Sequence, residues 1–222
     1  MAELTLPVFQ SFSHIIFPHT FVRISSDVRL PQKIFLKKVL KNDPPECVVV
    51  VQNLNLKETD PASFSKIGVV STVEINMAES KFKVSAQYRA EIQHLAYYPK
   101  NDIWKADVLR LPDVPELAEL TDSHSELPMI LGCVESIYAL LLNLKPLVKE
   151  KESAKKLEDQ IKKLKQARRE KETAYFLPWH ILIDFGYISQ EIKTKMLETN
   201  SVMERLQIIV DILKSEKAIL RN

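Results

Sequence analysis

Glycine is scarce in this chain, with only 3 residues of this type, Gly68, Gly132 and Gly186, among 222. Phosphate-binding loops need glycine because the backbone must approach and wrap the anion closely. Three isolated glycines cannot supply GxxxxGK[ST] or GxGxxG, so we expect no nucleotide-dependent chemistry of these two classes.

Metal-ligating residues are few and badly spaced. The 2 cysteines, Cys47 and Cys133, form no CxxC pair, and the 5 histidines share no HxxxH or HExxH spacing. Thiols buried in a reducing cytoplasm are favoured over a disulfide. The sequence therefore predicts no metal site and no cofactor.

The chain also lacks a charge excess and a long apolar run. Its 31 basic and 29 acidic residues give a net charge of +2, which argues against a nucleic-acid surface. No uninterrupted apolar run approaches the roughly 20 residues needed to span a bilayer. Glu3 and Pro7 do not fit a signal peptide. We expect a soluble, cytoplasmic protein with no membrane partner.

No catalytic constellation is visible either. The serines offer no GxSxG elbow, and nothing marks a Ser-Lys pair as activated. The paired carboxylates among Asp113, Glu116 and Glu119 lie in a polar, proline-containing connector, where solvated charge is the simpler interpretation. The sequence predicts that this chain is not an enzyme.

The first half is rich in strand patterns. Residues 6–18 read as two short apolar strands, the second stopped at Phe17-Pro18, because proline suits strand ends and edges. A short helix is expected over 31–41 and a strand buried on both faces over 46–52. Further strands are expected over 67–75, 81–88 continuing through 90–95, and 103–111.

The second half is rich in helix patterns. Helices are expected over 125–144, over 147–173 with many charges, over 180–185, from Ser189 and from residue 200 or 201. Together the two halves predict an α+β chain, with a β-rich module over 1–115 and a helical bundle with one long charged helix over 116–222.

Four stretches carry a family resemblance. They are the opening run with Phe17-Pro18, the strand Ile67-Gly68-Val69-Val70, residues 84–92 with Arg89, and residues 182–213 with Glu204, Arg205 and Leu206. In this order the motifs resemble the amino-terminal, substrate-binding domain of Lon proteases. His19 stands where the family usually has glycine, and Ser85-Ala86 replaces its usual Glu-Gly, at turns and strand bends where glycine supplies unusual backbone angles.

The resemblance implies a PUA-like β module followed by a helical bundle. It also implies a non-catalytic module that recognises unfolded or degron-bearing polypeptides in protein quality control by ATP-dependent proteolysis. Neither the ATPase nor the peptidase module of full-length Lon proteases is in the 222 residues. The chain is then either a divergent stand-alone member or the front of a longer protease, and the sequence leaves both open.

Candidate substrate-binding residues are aromatic side chains at loop positions: Phe12, Tyr97 and Tyr98. Rigid rings there serve peptide recognition, although they can equally cover the core. An exposed strand edge offers a second mode, in which an extended segment adds to a sheet.

The alternative function is structural. The charged helix over 147–173 carries a narrow apolar seam that contains Leu147, Leu157, Ile161 and Leu164. This seam would join Lon-type subunits or a second copy of this chain, or it would be ordinary core. RNA binding, which some PUA-like modules perform, is a third class, and the near-neutral charge argues against it.

Overall fold

The structure is a computed structural model, and it describes residues 4–11, 15–25, 30–51, 60–76, 81–100, 102–112, 126–149, 151–167, 171–184 and 188–221. The chain divides into two compact units, Met1–Pro112 and Asp113–Asn222. The predicted boundary at residues 115 and 116, and the carboxylates at 113, 116 and 119, lie outside the described residues.

In its described residues the first unit contains one mixed sheet of 6 strands, one α-helix, α1, and a 3-10 turn at Pro61–Ser63. Their bounds are β1 Leu4–Ser11, β2 Phe21–Ser25, α1 Leu30–Val39, β3 Glu46–Val51, β4 Ile67–Asn76, β5 Lys81–Tyr98 and β6 Ile103–Arg110. The strand order is β2-β5-β4-β3-β1-β6, and β5 pairs with β6 as well, so the sheet closes on itself. This closed sheet followed by helices confirms the predicted α+β class and order.

The long strand β5 makes the closure possible. Its first residues pair with β2 and β4, and its later residues, from Ala90 to Tyr98, pair with β6. The register against β4 shifts between Val70 and Ser71, next to Ala86. Because such irregularities bend a strand, the replacement of the family's Glu-Gly by Ser85-Ala86 does fall at a strand bend.

The strand β3 is buried on both faces, as the continuous β-branched run predicts. Val48 and Val50 belong to an apolar cluster with residues of β1, β4 and β6, while Cys47 and Val49 point to the opposite face. Burial, together with the charge of Glu46, raises the pKa of the Cys47 thiol to about 12. This thiol stays protonated at neutral pH and is a core side chain rather than a nucleophile.

The second strand predicted for the opening run is wrong. Ile16 and Phe17 are buried but lie in irregular chain, and a turn at Pro18 and His19 leads into β2. The Thr20 hydroxyl donates to the Phe17 carbonyl at 2.6 Å, and His19 N–H donates to the Ala86 carbonyl at 3.0 Å. Local hydrogen bonding of the turn, together with its docking on β5, therefore replaces strand pairing here.

His19 has a φ of 61°, in the left-handed region that favours glycine. We expect His19→Gly to raise the free energy of unfolding by about 1 kcal/mol relative to His19→Ala, because alanine keeps the Cβ that is strained in this conformation. Urea denaturation of both variants measures the difference. Equal stability of the two variants would show that the turn carries no backbone strain.

The second unit is helical in its described part. The helices are α2 Glu126–Leu144, α3 Lys151–Ala167, α4 Lys171–Asp184, α5 Gln190–Glu198 and α6 Val202–Arg221, with a 3-10 turn at Lys145–Leu147. Helix α2 packs mainly against α6 and also against α3, and α3 packs against α4. Helix α2 ends at Leu144, as predicted. The predicted start of a helix at Ser189 is also confirmed, since Ser189 Oγ accepts the Ile192 N–H at 3.3 Å and caps α5.

The bounds of two predicted helices differ from those observed. The charged helix predicted over 147–173 is α3 over Lys151–Ala167, and residues 171–173 belong to α4. The short helix predicted over 180–185 is the last part of α4, which begins at Lys171 and continues through Pro178. An internal proline costs a helix about 3 kcal/mol. Leu177 and Trp179 on either side of it are buried, so tertiary packing outweighs that cost.

One stretch of the described residues, Leu127–Leu147, is long and apolar enough to cross a membrane. The sequence prediction missed it because Glu135 and Lys145 interrupt the apolar run without lowering its average hydropathy enough. The core helix of a soluble domain passes the same test, and this helix packs one face against α6 and α3.

Arg205 joins three helices of the second unit. Its Nε donates to the Thr199 carbonyl at 2.8 Å, just after the end of α5, and its guanidinium lies 4.3 Å from the centre of a Trp179 ring in α4. The side chain is fully buried. This motif arginine is thus a structural residue that fixes α4 and α5 against α6.

Candidate functional site

A groove of about 640 Å³ opens on the first unit, between β1, α1, the turn over residues 41–46 and the start of β6. Apolar side chains contribute much of its lining: Leu4, Leu6, Phe35, Val39 and Ile103. The ring of Phe35 is also packed against Phe9 of β1, at 5.5 Å between centroids, which anchors α1 on the sheet. The groove is therefore built on regular secondary structure.

The groove lies where β1 changes its partner. Residues 4–7 pair antiparallel with β6, whereas Val8 to Ser11 pair parallel with β3. Within the described strands, the second edge of residues 4–7 has no ladder partner, and these residues line the groove. Backbone groups along such an edge are available to an added strand, except at Pro7, which has no N–H.

The charges around the groove are of both signs. Lys38, Lys41 and Lys105 contribute cations, and Asp43 and Glu46 contribute carboxylates. Apolar walls with charges of both signs suit a polypeptide segment of mixed composition better than a phosphate-rich ligand.

Tyr98 lies beside this groove. It is 44% exposed, pairs across the strands with Ile103, and its ring lies 5.3 Å from the Lys105 ammonium. Ile103 and Lys105 both line the groove, so the ring stands at its rim.

Tyr97 points to the opposite face of the β5–β6 hairpin, because side chains alternate along a strand. Its ring packs on Trp104 at 5.3 Å, and its hydroxyl donates to Asp102 Oδ1 at 2.6 Å, which raises the pKa of Tyr97. The two tyrosines, which were predicted as parts of one binding site, therefore lie on opposite faces of the β5–β6 hairpin. Phe12, the third predicted residue, lies outside the described residues.

The predicted assembly seam is mostly buried in the single chain. Leu157, Ile161 and Leu164 are buried in α3, and Leu147 is half-buried in the 3-10 turn before it. Helix α3 packs against α2 and α4, so these side chains are placed as core of the helical unit. A role of the seam in assembly stays a prediction.

Sequence reasoning missed the groove residues. The groove depends on β1 pairing with β6 first and with β3 afterwards, and no local pattern shows a change of partner. One signal was present, since Pro7 is the last residue of the β6 pairing and stands at the change. Proline in an apolar strand indicates that one backbone edge is left open nearby.

The family profile described as the ATP-dependent protease La (LON) substrate-binding domain matches residues 5–215. The chain belongs to this family. No curated protein sequence matches the chain significantly.

Solved structures show the same fold. The N-terminal domain of the Mycobacterium avium complex Lon protease aligns with a TM-score of 0.64 at 16% identity, covering 95% of this chain and 98% of that one. The Lon N-terminal domain protein from Xanthomonas campestris aligns with a TM-score of 0.53 at 12% identity, covering 94% of this chain and 98% of that one.

The Lon substrate-binding domain family is non-catalytic and related to proteolysis, and its general role is substrate recognition. The motif residues Gly68, Arg89 and Arg205 are all buried, and none of them lines the groove. These three motif residues are therefore part of the interior of the fold.

Proposed function

We propose that the groove beside Tyr98 binds extended segments of unfolded or degron-bearing polypeptides, and that the chain acts as a cytoplasmic recognition module in protein quality control. The observation that carries the proposal is the open edge of residues 4–7, which line an apolar groove. A bound segment would add to β1 through main-chain hydrogen bonds. Such pairing tolerates many sequences, as recognition of damaged proteins requires.

In this proposal the module works with an ATP-dependent protease of the Lon type, either as part of its chain or as a separate partner. The groove residues recognise the substrate and perform no chemistry on it. Assembly through the helical unit is the less favoured function, because the seam side chains Leu157, Ile161 and Leu164 are buried in the single chain.

Tyr98→Ala is expected to weaken binding of a permanently unfolded polypeptide, such as a reduced and carboxymethylated protein, by about tenfold, as a lost aromatic contact at an interface does. The matched control is Tyr97→Ala, because Tyr97 is 42% exposed on the opposite face of the same hairpin. Fluorescence anisotropy of the labelled polypeptide measures both affinities. Absence of binding at high micromolar concentration, or equal losses in the two variants, would reject the groove.

The contribution of the backbone edge needs a separate probe. A short apolar peptide that binds the chain is compared with the same peptide carrying N-methyl groups at alternate residues, which cannot donate hydrogen bonds there. Strand addition predicts a large loss of affinity on methylation. Unchanged affinity would mean that side chains alone are recognised.

A further inference from the structure

The strand β2 forms an open edge of the sheet. It stands at the end of the strand order, and within the described residues it pairs only with β5. No residue of β2 lines the groove. The molecule thus offers a second backbone edge, separate from the first.

An exposed aromatic ring marks this edge. Phe21 is 52% exposed, although phenylalanine normally contributes to the core. The Arg23 guanidinium lies 5.2 Å from the centre of its ring, and the Lys83 ammonium lies 5.7 Å from it. The ring is therefore a flat apolar platform with a cation on each of two neighbouring strands.

The exposed sheet face around Phe21 is cationic. Directly opposed residues of antiparallel strands share a face, and the register places Arg23 opposite Lys83 and Lys83 opposite Glu74. Lys83 contacts Glu74 at 3.3 Å, and Arg23 adds a second cation beside it, so these paired positions of the described strands carry more cations than carboxylates.

We propose that the β2 edge is a second docking site, which accepts an acidic extended segment of a polypeptide as an added strand. Alternate side chains of the added strand would lie over the face of Phe21, with carboxylates near Arg23 and Lys83 and an apolar group on the ring. The occupant is acidic because the cations of this face exceed its carboxylates. This proposal does not depend on the groove.

The competing explanation is protection of the edge. Short edge strands that carry a charge prevent unwanted sheet pairing, and β2 has 5 residues including Arg23. A protected edge would bind no added strand, whatever its charge, so the two explanations predict opposite outcomes.

The test uses the full chain and two labelled peptides of alternating sequence, one of glutamate and valine and the other of lysine and valine. Because the groove can hold either peptide, we expect anisotropy to show tighter binding of the acidic peptide than of the basic one, with the difference falling as salt is added. Arg23→Glu is expected to weaken binding of the acidic peptide about tenfold, because the attraction between Arg23 and the peptide carboxylates becomes a repulsion at the β2 edge. Phe21→Ser is expected to weaken it as well, without a change in the salt dependence.

The matched control is Lys66→Glu, a charge reversal at an exposed residue just before β4 that neither lines the groove nor pairs with β2, and it is expected to leave binding of the acidic peptide within about twofold. Circular dichroism of each variant checks folding. Equal binding of both peptides, no binding of either, or a loss in Lys66→Glu that is as large as in Arg23→Glu would overturn the proposal.

Discussion

A chain carrying Leu157→Glu and Ile161→Glu is expected to lose the folded helical unit while the β unit stays folded. Both leucine and isoleucine are buried in α3, at 5% and 7% exposure. Removing a buried aliphatic side chain costs about 2 to 5 kcal/mol, and a buried unpaired carboxylate costs more. Two such changes together are comparable with the margin of about 5 to 15 kcal/mol by which domains are stable, and the two buried carboxylates add to that cost.

The 2 tryptophans make this result measurable, because Trp104 lies in the β unit and Trp179 in the helical unit. In a Trp104→Phe background, the fluorescence of Trp179 in the double variant should show that this side chain is exposed to solvent even when no denaturant is present. In a Trp179→Phe background, Trp104 should keep a normal urea transition. The apolar cluster around Trp104 contains only β-unit residues, which is why the second signal should survive.

The control replaces exposed positions of the same helix, Lys155→Glu and Lys165→Glu, and is expected to change stability by less than about 1 kcal/mol. Light scattering is recorded in parallel. A folded double variant with a lower molar mass than the parent chain would contradict the core placement and establish the seam as an assembly surface.

Gly68→Ala is expected to destabilise the β unit by about 2 to 3 kcal/mol, as overpacking of a tight interior does. A Cβ at this position would lie 2.6 Å from Val48 Cγ2 and 3.0 Å from the Val49 carbonyl oxygen. The valine side chain is fully buried and the carbonyl belongs to the neighbouring strand, so neither can move freely. Gly68 is required for this close approach of β4 to β3 and not for an unusual backbone angle.

Gly132→Ala is the matched control, because a Cβ there meets nothing within 4 Å. Gly132 is exposed within α2, so alanine is expected to raise stability by about 1 kcal/mol through its better helix propensity. Urea denaturation in the two single-tryptophan backgrounds assigns each effect to its unit. A neutral Gly68→Ala would contradict the tight contact.

Elements with strong local patterns were predicted well. The run over 46–52 is the buried strand β3, and the N-cap at Ser189 begins α5 where the serine and its periodic apolar residues indicate. The position of His19, where the family usually has glycine, correctly indicated unusual backbone angles. These features depend on side chains within a few residues of each other, which is the range that sequence patterns cover.

Elements whose conformation depends on contacts between residues far apart in the sequence were predicted poorly. Ile16 and Phe17 have the composition of a strand, yet they lie in irregular chain before the turn that docks on β5. A separate helix was predicted over 180–185, yet α4 starts at Lys171 and stays continuous through Pro178, where the neighbours Leu177 and Trp179 are buried. In both places, long-range packing decided between local conformations of similar energy.

The sequence by itself determined the α+β order and the family resemblance, which follow from local apolar periodicity and from the order of the motifs. Only the tertiary structure decided which edges of the described strands are open, and so where we propose that a polypeptide docks. A strand edge is open where no neighbouring strand pairs with it. Among the described residues, this is the case for β2 and for residues 4–7 of β1, and it depends on how strands distant in the sequence pair. The placement of Tyr97 and Tyr98 on opposite faces likewise follows from the pairing of β5 with β6.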